Sequence, residues 1–560
     1  MEKVTRSRVL VATVVAVILV IGIAAAAGAV PLFASGDSTD RPDDPSTEET
    51  VGYVEGYWYD DELDADDGAD AVIDDEDDLE EVIYRSMARV EEIRELTFEE
   101  EVPVDVISRE EFQEDHDDMF VELEEDEELQ QNVTYEALFM VDSETDAEDE
   151  FEAMYGDSVG GYYDPATNEI VLVSDSPDEP EVDEVILGHE LLHALQDQHF
   201  DLASYDRETI DQDAAKNGLI EGDAVTVEQA YDQHCDAEWE CLPSAQPPEN
   251  QVGDLNWGIY LLLMHPYEAG PEYVDSLLEG DDWSAVDDAY DDAPASSSDV
   301  IHTDEDREAG DVTVDDDSSD SWEQLETDDG LANETVGEAG MVSMLGSDAM
   351  DPLRSSVIEE TDLLTADLQG VDYDQPYTDG WAGDELVTYV DSDVTDTDTV
   401  STSEEAGYVW ETEWTSEEDA DEFADGYTQL LELNDAQVLN ESEGVYSVDD
   451  GYQGAYALDI DGESVTIVRG PSVDDLNAIE DGVVAEDLEV SDDPDEPTDG
   501  DAGTDDDTGS DDADEESSDA DDADDASEAS DADNDSIPGF AASSAVVALA
   551  VAVLAARHKR

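Results

Sequence analysis

Between residues 79 and 96 the chain reads LEEVIYRSMARVEEIREL, with apolar side chains at Val82, Ile83, Met87, Val90, Ile93 and Leu96. Intervals of three and four put these on one side of a helix. PVDVI (103–107) reads as a short strand, and EFQEDHDDMFVELEEDEELQQ as one or two acidic helices. In GYYDPATNEIVLVSD the period drops to two. A DP and TN turn joins two β runs, and the second, Glu169–Ser174, alternates and is β-branched in the manner of an edge strand. Helical spacing returns in EVILGHELLHALQDQHF (Glu184–Phe200), where Leu187, Leu191, Ala194 and Leu195 share an inward face. DQDAAKNGLIEGDAVTVEQAYDQH predicts a second helix carrying Leu219, Ile220, Ala224, Val225 and Val227. Further on, WAGDELVTYV, AGYVWETEW, GVYSV, GAYALDI and ESVTIVRG read as strands and SEEDADEFADGYTQLLEL as a helix. Segregated helices and strands make the fold class α+β: a first domain over 77–335 with a small sheet and a long helix, then a smaller α+β domain over 336–485.

Composition changes the picture at the edges of these elements. The 560 residues hold 164 Asp plus Glu against 16 Lys plus Arg, a net charge of -148. Such a chain repels itself in dilute salt, so its compact state calls for molar salt, where the Debye length is about 3 Å. The surface is that of a halophile, and nucleic acid is excluded as a partner because clustered Lys and Arg are missing. Residues 35–76 read as an acidic linker, and the acidic, serine-rich stretch from Ser296 to Glu326 as a loop. Residues 486–537, dominated by Asp, Ser and Ala and without an aromatic residue, read as a disordered spacer. Lys3, Arg6 and Arg8 ahead of a long apolar run mark residues 1–34 as an export signal peptide or N-terminal anchor. Outside the cell, Cys235 and Cys241 are expected to form a small disulfide loop. Asn132, Asn333, Asn440 and Asn534 head glycosylation triplets.

The chemistry concentrates on the helix Glu184–Phe200. His189 and His193 lie about 40° apart in helical projection, so both imidazoles reach one metal ion, while Glu190, about 100° round, reaches a water beside it. This is the logic of HExxH: two nitrogen ligands plus a carboxylate that acts as general base on water whose pKa the metal lowers. A catalytic Zn²⁺ takes three protein ligands. Glu221, flanked by aliphatic residues on the second helix, is the candidate for the third, with Asp223 and Glu228 as alternatives. Asp197 is either a hydrogen-bond acceptor behind a ligand histidine or a solvated charge, and His199 is a helix-end residue. An oxyanion donor is sought among His302, Tyr231, His234 and His265, with His302 preferred.

With these residues in view, the chain resembles the gluzincin side of the HExxH zinc metallopeptidases. It is also similar to a family of bacterial and haloarchaeal exported proteins through GYYDPATNEIVLV, HELLHALQDQHFDL, GLIEGDA, PYEAGPEYVDSLLEGDDWSAVDDAYDDAPASSSDVIH and, more weakly, TVGEAGM, GWAGDELVTY and VWETEWTSEEDADEF. The resemblance implies a zincin-like first domain, zinc held by His189, His193 and Glu221, Glu190 as catalytic base, and His302 as the companion catalytic residue. It implies a peptide or protein substrate lying along the strand from Ile170 to Ser174. The glutamate 28 residues after His193 lacks the usual NExxxD setting of that family. At the C-terminus, residues 538–560, with IPGF, an apolar run and ARHKR, resemble the PGF sorting signal of haloarchaeal surface proteins. That likeness implies processing by an archaeosortase-type enzyme and a lipid or membrane anchor at the cell surface. The functional expectation is a cell-surface zinc metallopeptidase. The alternative is a catalytically silent protein of the same fold that serves as an envelope binding module.

Overall fold

The structure is a computed structural model. It describes Ile18–Leu19 and residues 41–485, except 43, 69, 74–75, 117–122, 124, 156–158, 166, 175, 178, 206, 244–254, 279–282, 304–306, 308, 328–329, 352, 366–369, 393–404 and 441–443. The acidic spacer, the C-terminal sorting segment, Asn534 and all of the N-terminal segment but Ile18–Leu19 lie outside the described residues. Among the described residues no helix is long and apolar enough to cross a membrane. The fold class is α+β, with one antiparallel sheet of eight strands and a smaller mixed sheet of four.

The smaller sheet and three helices form the part that carries the histidines. A two-stranded ribbon, β1 (Tyr53–Val54) and β2 (Tyr57–Trp58), precedes α1 (Glu76–Arg94). Next come β3 (Val104–Ser108), α2 (Arg109–His116), α3 (Glu125–Ala137), α4 (Ala147–Tyr155), β4 (Val159–Asp164) and β5 (Glu169–Ser174). β5 pairs antiparallel with β4 and parallel with β3, and Ile18–Leu19 pairs with the far side of β4. The edge-strand reading of Glu169–Ser174 is therefore corrected: the strand is internal, with both of its rows of backbone groups engaged. Its alternating side chains reflect which face is covered, and they carry no record of which strands flank it.

α5 (Glu184–Phe200) starts on Asp183, whose carboxylate accepts from Val185 N–H and Ile186 N–H at 3.1 and 3.4 Å. α6 (Ile210–Ala237) starts on Thr209 and runs for 28 residues. Its end is pinned by the Cys235–Cys241 disulfide, the small loop expected from the sequence. α1 lays Val82, Met87, Val90 and Ile93 against Leu187 and Leu191 of α5 and Leu219, Ile220 and Val227 of α6. It also buries Arg85 and Arg89, both of which bond the Glu184 carboxylate at the head of α5. Tyr231 O–H and Leu242 N–H complete that carboxylate's partners at 2.7 and 2.9 Å.

Residues 41–76 are not a linker throughout. Val54, Tyr59 and Ile73 are buried in the same core, Ala71 is buried too, and residues 71 and 73 exchange backbone hydrogen bonds with 180 and 182. The aromatic group YVEGYWYD supplies the apolar area that an acidic average conceals.

The remaining chain gives α7 (Trp257–Glu268), α8 (Gly270–Leu277), α9 (Ser284–Asp291), the short α10 (Ser297–Ile301), β6 (Trp322–Gln324), β7 (Asn333–Glu334) and α11 (Gly337–Gly346). Then follow β8 (Trp381–Asp391), β9 (Gly407–Trp414), α12 (Glu417–Leu433), β10 (Gln437–Asn440), β11 (Val445–Val448), β12 (Gly454–Asp461), β13 (Ser464–Gly470) and α13 (Val473–Ile479). The large sheet runs β7-β8-β9-β13-β12-β11-β10, with β6 also on β8. One face packs with α3, α7, α11 and α12, and the other carries α13. The sheet takes strands from both sides of residue 336, and its core includes Leu129, Val133 and Ile259, so the two predicted segments share a core and form one compact unit. Within 296–326 the expected loop is interrupted by α10 and by β6, and Ser296, Ser297 and Ser298 are buried.

α6 joins these cores. Ile210 at its start belongs with the large sheet, and Leu219, Ile220 and Val227 belong with α1 and α5. Its first turn is tied down by Ile210 N–H to Glu334 at 2.7 Å, by Asp211 N–H to the Thr335 carbonyl at 3.0 Å, and by Ser297 donating to Asp211.

Candidate metal centre

α5 and α6 cross so that His189 Nε2, His193 Nε2 and Glu221 Oε2 converge. The two nitrogens are 3.1 Å apart, and the carboxylate oxygen is 3.3 Å from each. The second ring nitrogens are already committed. His189 Nδ1 lies 2.9 Å from Glu228 Oε2, and His193 Nδ1 lies 2.9 Å from Gln196 Oε1. Gln196 spends its amide N–H groups on the Ile220 carbonyl and on Asp223, at 3.0 and 3.2 Å, so its oxygen is the end that faces His193. Both Nδ1 atoms are thus donors, which leaves both Nε2 atoms facing each other and Glu221, where each can offer a lone pair once it carries no proton.

Two imidazole nitrogens and a carboxylate meeting in a dry interior call for a positive centre, either a proton or a metal ion. His189, His193 and Glu221 are 2 %, 0 % and 3 % exposed, and Glu221 Oε2 faces only the two imidazoles among the described residues. Tetrahedral ligands on bonds of about 2.0–2.1 Å stand about 3.3–3.4 Å from one another, the spacing present here. The residues therefore fit a zinc ion, and they are the one group among the described residues whose ligand atoms are close enough to hold a metal.

The electrostatics agree. Burial pulls His189 down, but the Glu221 and Glu228 carboxylates overcome it and hold the imidazole up, at about 10 against an ordinary 6.5. Burial pushes Glu221 up, yet the facing histidines bring it down to about 2. Glu190 is fully buried, with neither carboxylate oxygen hydrogen-bonded. Burial pushes it up to about 7, offset by His189 and His193 and by the nearby Tyr163 backbone amide. A carboxyl group poised there exchanges a proton readily near neutrality.

Two glycines bring α8 against α6 at the level of this cluster. A methyl group on Gly222 would lie 2.3 Å from the Gly270 carbonyl oxygen, so α6 and the start of α8 are in backbone contact one residue past Glu221. The GLIEGDA stretch thus owes its second glycine to packing at the level of the ligand.

The other sequence candidates have different duties. Glu228 is an acceptor behind His189, and Asp223 pairs with Arg94 at 3.0 Å and accepts from Tyr290 O–H at 2.9 Å. Asp197 is neither behind a ligand nor a free charge. It accepts from Tyr163 O–H at 2.7 Å and from Leu202 N–H at 3.0 Å, which fixes β4 against α5. His302 does not join the cluster: its Nε2 lies 2.9 Å from Glu338 Oε1, a carboxylate that also neighbours Thr378 and Arg307. Tyr231 serves Glu184 and Ser86, and His234 stacks on Trp239. His265 is buried against Tyr373 with no partner on either ring nitrogen and is pulled down to about 3 by burial. His199 Nε2 meets the Thr97 carbonyl at 2.8 Å. Asn132 is also reassigned: it is buried and accepts from Ala147 N–H at 2.8 Å, which removes it as a glycosylation acceptor in the folded chain.

Gln196 and Arg207 were not singled out from the sequence. Gln196 had a signal, since it stands three residues after His193 on the same helix. Arg207 had none, because its partners are set by tertiary packing.

A family described as a domain of unknown function (DUF8575) matches residues 323–480, the span of the large sheet, which contains none of His189, Glu190, His193 and Glu221. No curated protein and no solved structure matches the chain.

Proposed function

We propose that the chain is a zinc-dependent metallopeptidase. The observation that carries this reading is the triangle of lone pairs from His189, His193 and Glu221 at tetrahedral spacing, with Glu190 adjacent on the same helix. Bound zinc would supply Lewis acidity, polarising a peptide carbonyl and lowering the pKa of water. The chain's own groups do the rest. Glu228 and Gln196 hold both imidazoles in the tautomer that offers Nε2. Glu190, kept near neutrality by its dry surroundings, takes a proton from the attacking water and returns it to the departing amine. The zincin-like architecture belongs to this proposal: a histidine helix under a small sheet, with β4 bordering Glu190 and a second helix bringing the glutamate. So do export and anchoring at a halophile's cell surface.

Complete burial of Glu190 favours a second reading, in which zinc is purely structural in a binding protein. Structural zinc sites close with four protein ligands, whereas this cluster offers three, which supports the catalytic reading. The test uses the full chain in molar KCl. Glu190→Gln should keep one zinc per chain while peptide cleavage falls by about 10²–10⁴-fold. His189→Ala should lose stoichiometric zinc. Wild-type protein that holds zinc but cleaves nothing in a broad peptide panel, or cleavage unchanged in Glu190→Gln, would overturn the catalytic reading.

A further inference from the structure

Five arginines are buried in the described body, and four of them are conventionally paired. Arg85 and Arg89 meet Glu184, Arg94 meets Asp223 and Arg469 meets Glu136, each with a carboxylate oxygen within 3.1 Å. Arg207 differs. It is 4 % exposed, and the carboxylate it approaches among the described residues, Asp213, is 3.5 Å away. Its one hydrogen bond goes from Nη1 to Asn217 Oδ1 at 2.7 Å, while Asn217 in turn donates to Asp213 at 2.9 Å. Among the described residues, Nε and Nη2 have no hydrogen-bond partner.

Those two orphan donors are a matched pair. Nε–H and Nη2–H project in parallel from one edge of the guanidinium, the edge that receives both oxygens of a carboxylate side-on. A buried cation with that fork empty is costly to the fold unless something fills it. The location is informative as well. Asp213, Asn217 and Glu221 follow one another at four-residue intervals along a single face of α6, so Arg207 is clamped one turn before the metal-facing glutamate. One such interval is about 6 Å along the helix axis, and an extended peptide covers that in about two residues.

We infer that Arg207 binds a carboxylate of the substrate, one to two residues from the bond that is cleaved. This deepens the peptidase reading and rests on it for the word substrate. Two sources present the same chemistry: the free C-terminal carboxylate of a short peptide, or an Asp or Glu side chain beside the scissile bond.

The experiment has a catalytic and a binding arm, both with zinc-loaded full chain in molar KCl. Matched peptides differ only in a C-terminal acid against its amide, or in Glu against Gln at the residue after the scissile bond. For wild type, kcat/KM should favour the acid of the responsible pair by about ten- to a hundred-fold. Arg207→Gln should erase that preference, and Arg207→Lys should keep part of it, with zinc content unchanged in both. In the binding arm, calorimetry on Glu190→Gln measures affinity for the same pairs without turnover, and the preference should appear there and vanish in Glu190→Gln/Arg207→Gln. Acid and amide treated alike by wild type in both pairs overturns the inference, a comparison that needs no variant to fold. A preference that survives Arg207→Gln overturns it too. If nothing is cleaved but the carboxylate still binds in an Arg207-dependent way, the carboxylate site stands and only the peptidase reading falls.

Discussion

At the scale of single residues, the metal centre makes a claim about protons. His189 is held above its ordinary value, so in the metal-free chain the protonated imidazole stabilises the fold fully below pH 6.5, and that contribution fades as pH rises through about 10. Zinc bound as proposed would take the place of that proton, which makes zinc binding the mirror image: affinity should climb with pH while the proton is still bound. Glu221 is already ionised and Glu190 is ionised above about pH 8, so a single proton is at issue there. Between pH 8 and 9.5 zinc affinity should rise by about tenfold per pH unit, with one proton released per ion. Calorimetry in two buffers of different ionisation enthalpy checks this, and a flat affinity with no proton release would refute it. The pairing of the two histidines with Glu190 beside them was legible in five letters, and the convergence of Glu221 on them in its apolar flanks. The roles of Glu228, Gln196 and Asp197 were not legible, because a carboxylate or amide near a histidine in sequence acquires its duty from whatever packs opposite.

At the scale of elements, the crossing of α6 and the start of α8 is set by backbone contact at Gly222 and Gly270. Ala is better than Gly inside a helix by about 1 kcal/mol, but a methyl group 2.3 Å from a carbonyl oxygen cannot be accommodated without separating the helices. Gly222→Ala should therefore destabilise the body by about 1–3 kcal/mol and weaken zinc binding, since the shift falls one residue from Glu221. Thermal unfolding and zinc titration of the variant decide the matter, and an unchanged midpoint would show that the crossing has slack. Periodicity had placed the helix Glu76–Arg94, the pair α5 and α6, and the strands of the large sheet close to where they lie. It placed β5 but not its position in the sheet, because one neighbour arrives from Val104–Ser108 across a long connection, and it missed the ribbon at Tyr53–Trp58, whose aromatic residues sit in acidic surroundings. Pairing partners and the burial of short aromatic groups are long-range facts.

At the scale of the whole molecule, the charge is divided by depth. Of only 16 Lys and Arg, the five arginines at 85, 89, 94, 207 and 469 are interior, so the carboxylates outside have little local compensation. Dilution from molar KCl to about 0.1 M should lower the unfolding midpoint steeply through repulsion at the surface. The interior pairs, beyond the reach of salt, should contribute alike at both concentrations. Removing zinc by chelation at constant molar KCl should lower the midpoint within one transition, because α6 belongs to both cores. Two resolved calorimetric transitions in the chelated protein would contradict that.

The anchored start of α6 has a mechanical consequence. Asp211 is fastened to Thr335 and Ser297, and Glu221 stands ten residues on, about 15 Å from that pivot. A tilt of about 4° at the pivot swings the Glu221 carboxylate by about 1 Å, and a misplacement of that size at a reacting centre costs roughly a hundredfold in rate. The helix works as a lever whose fulcrum is held by residues 333–337 of the large-sheet region. On the proposed reading, substitutions there, far from the His189, His193 and Glu221 cluster, would register as loss of peptide cleavage before they registered as loss of fold.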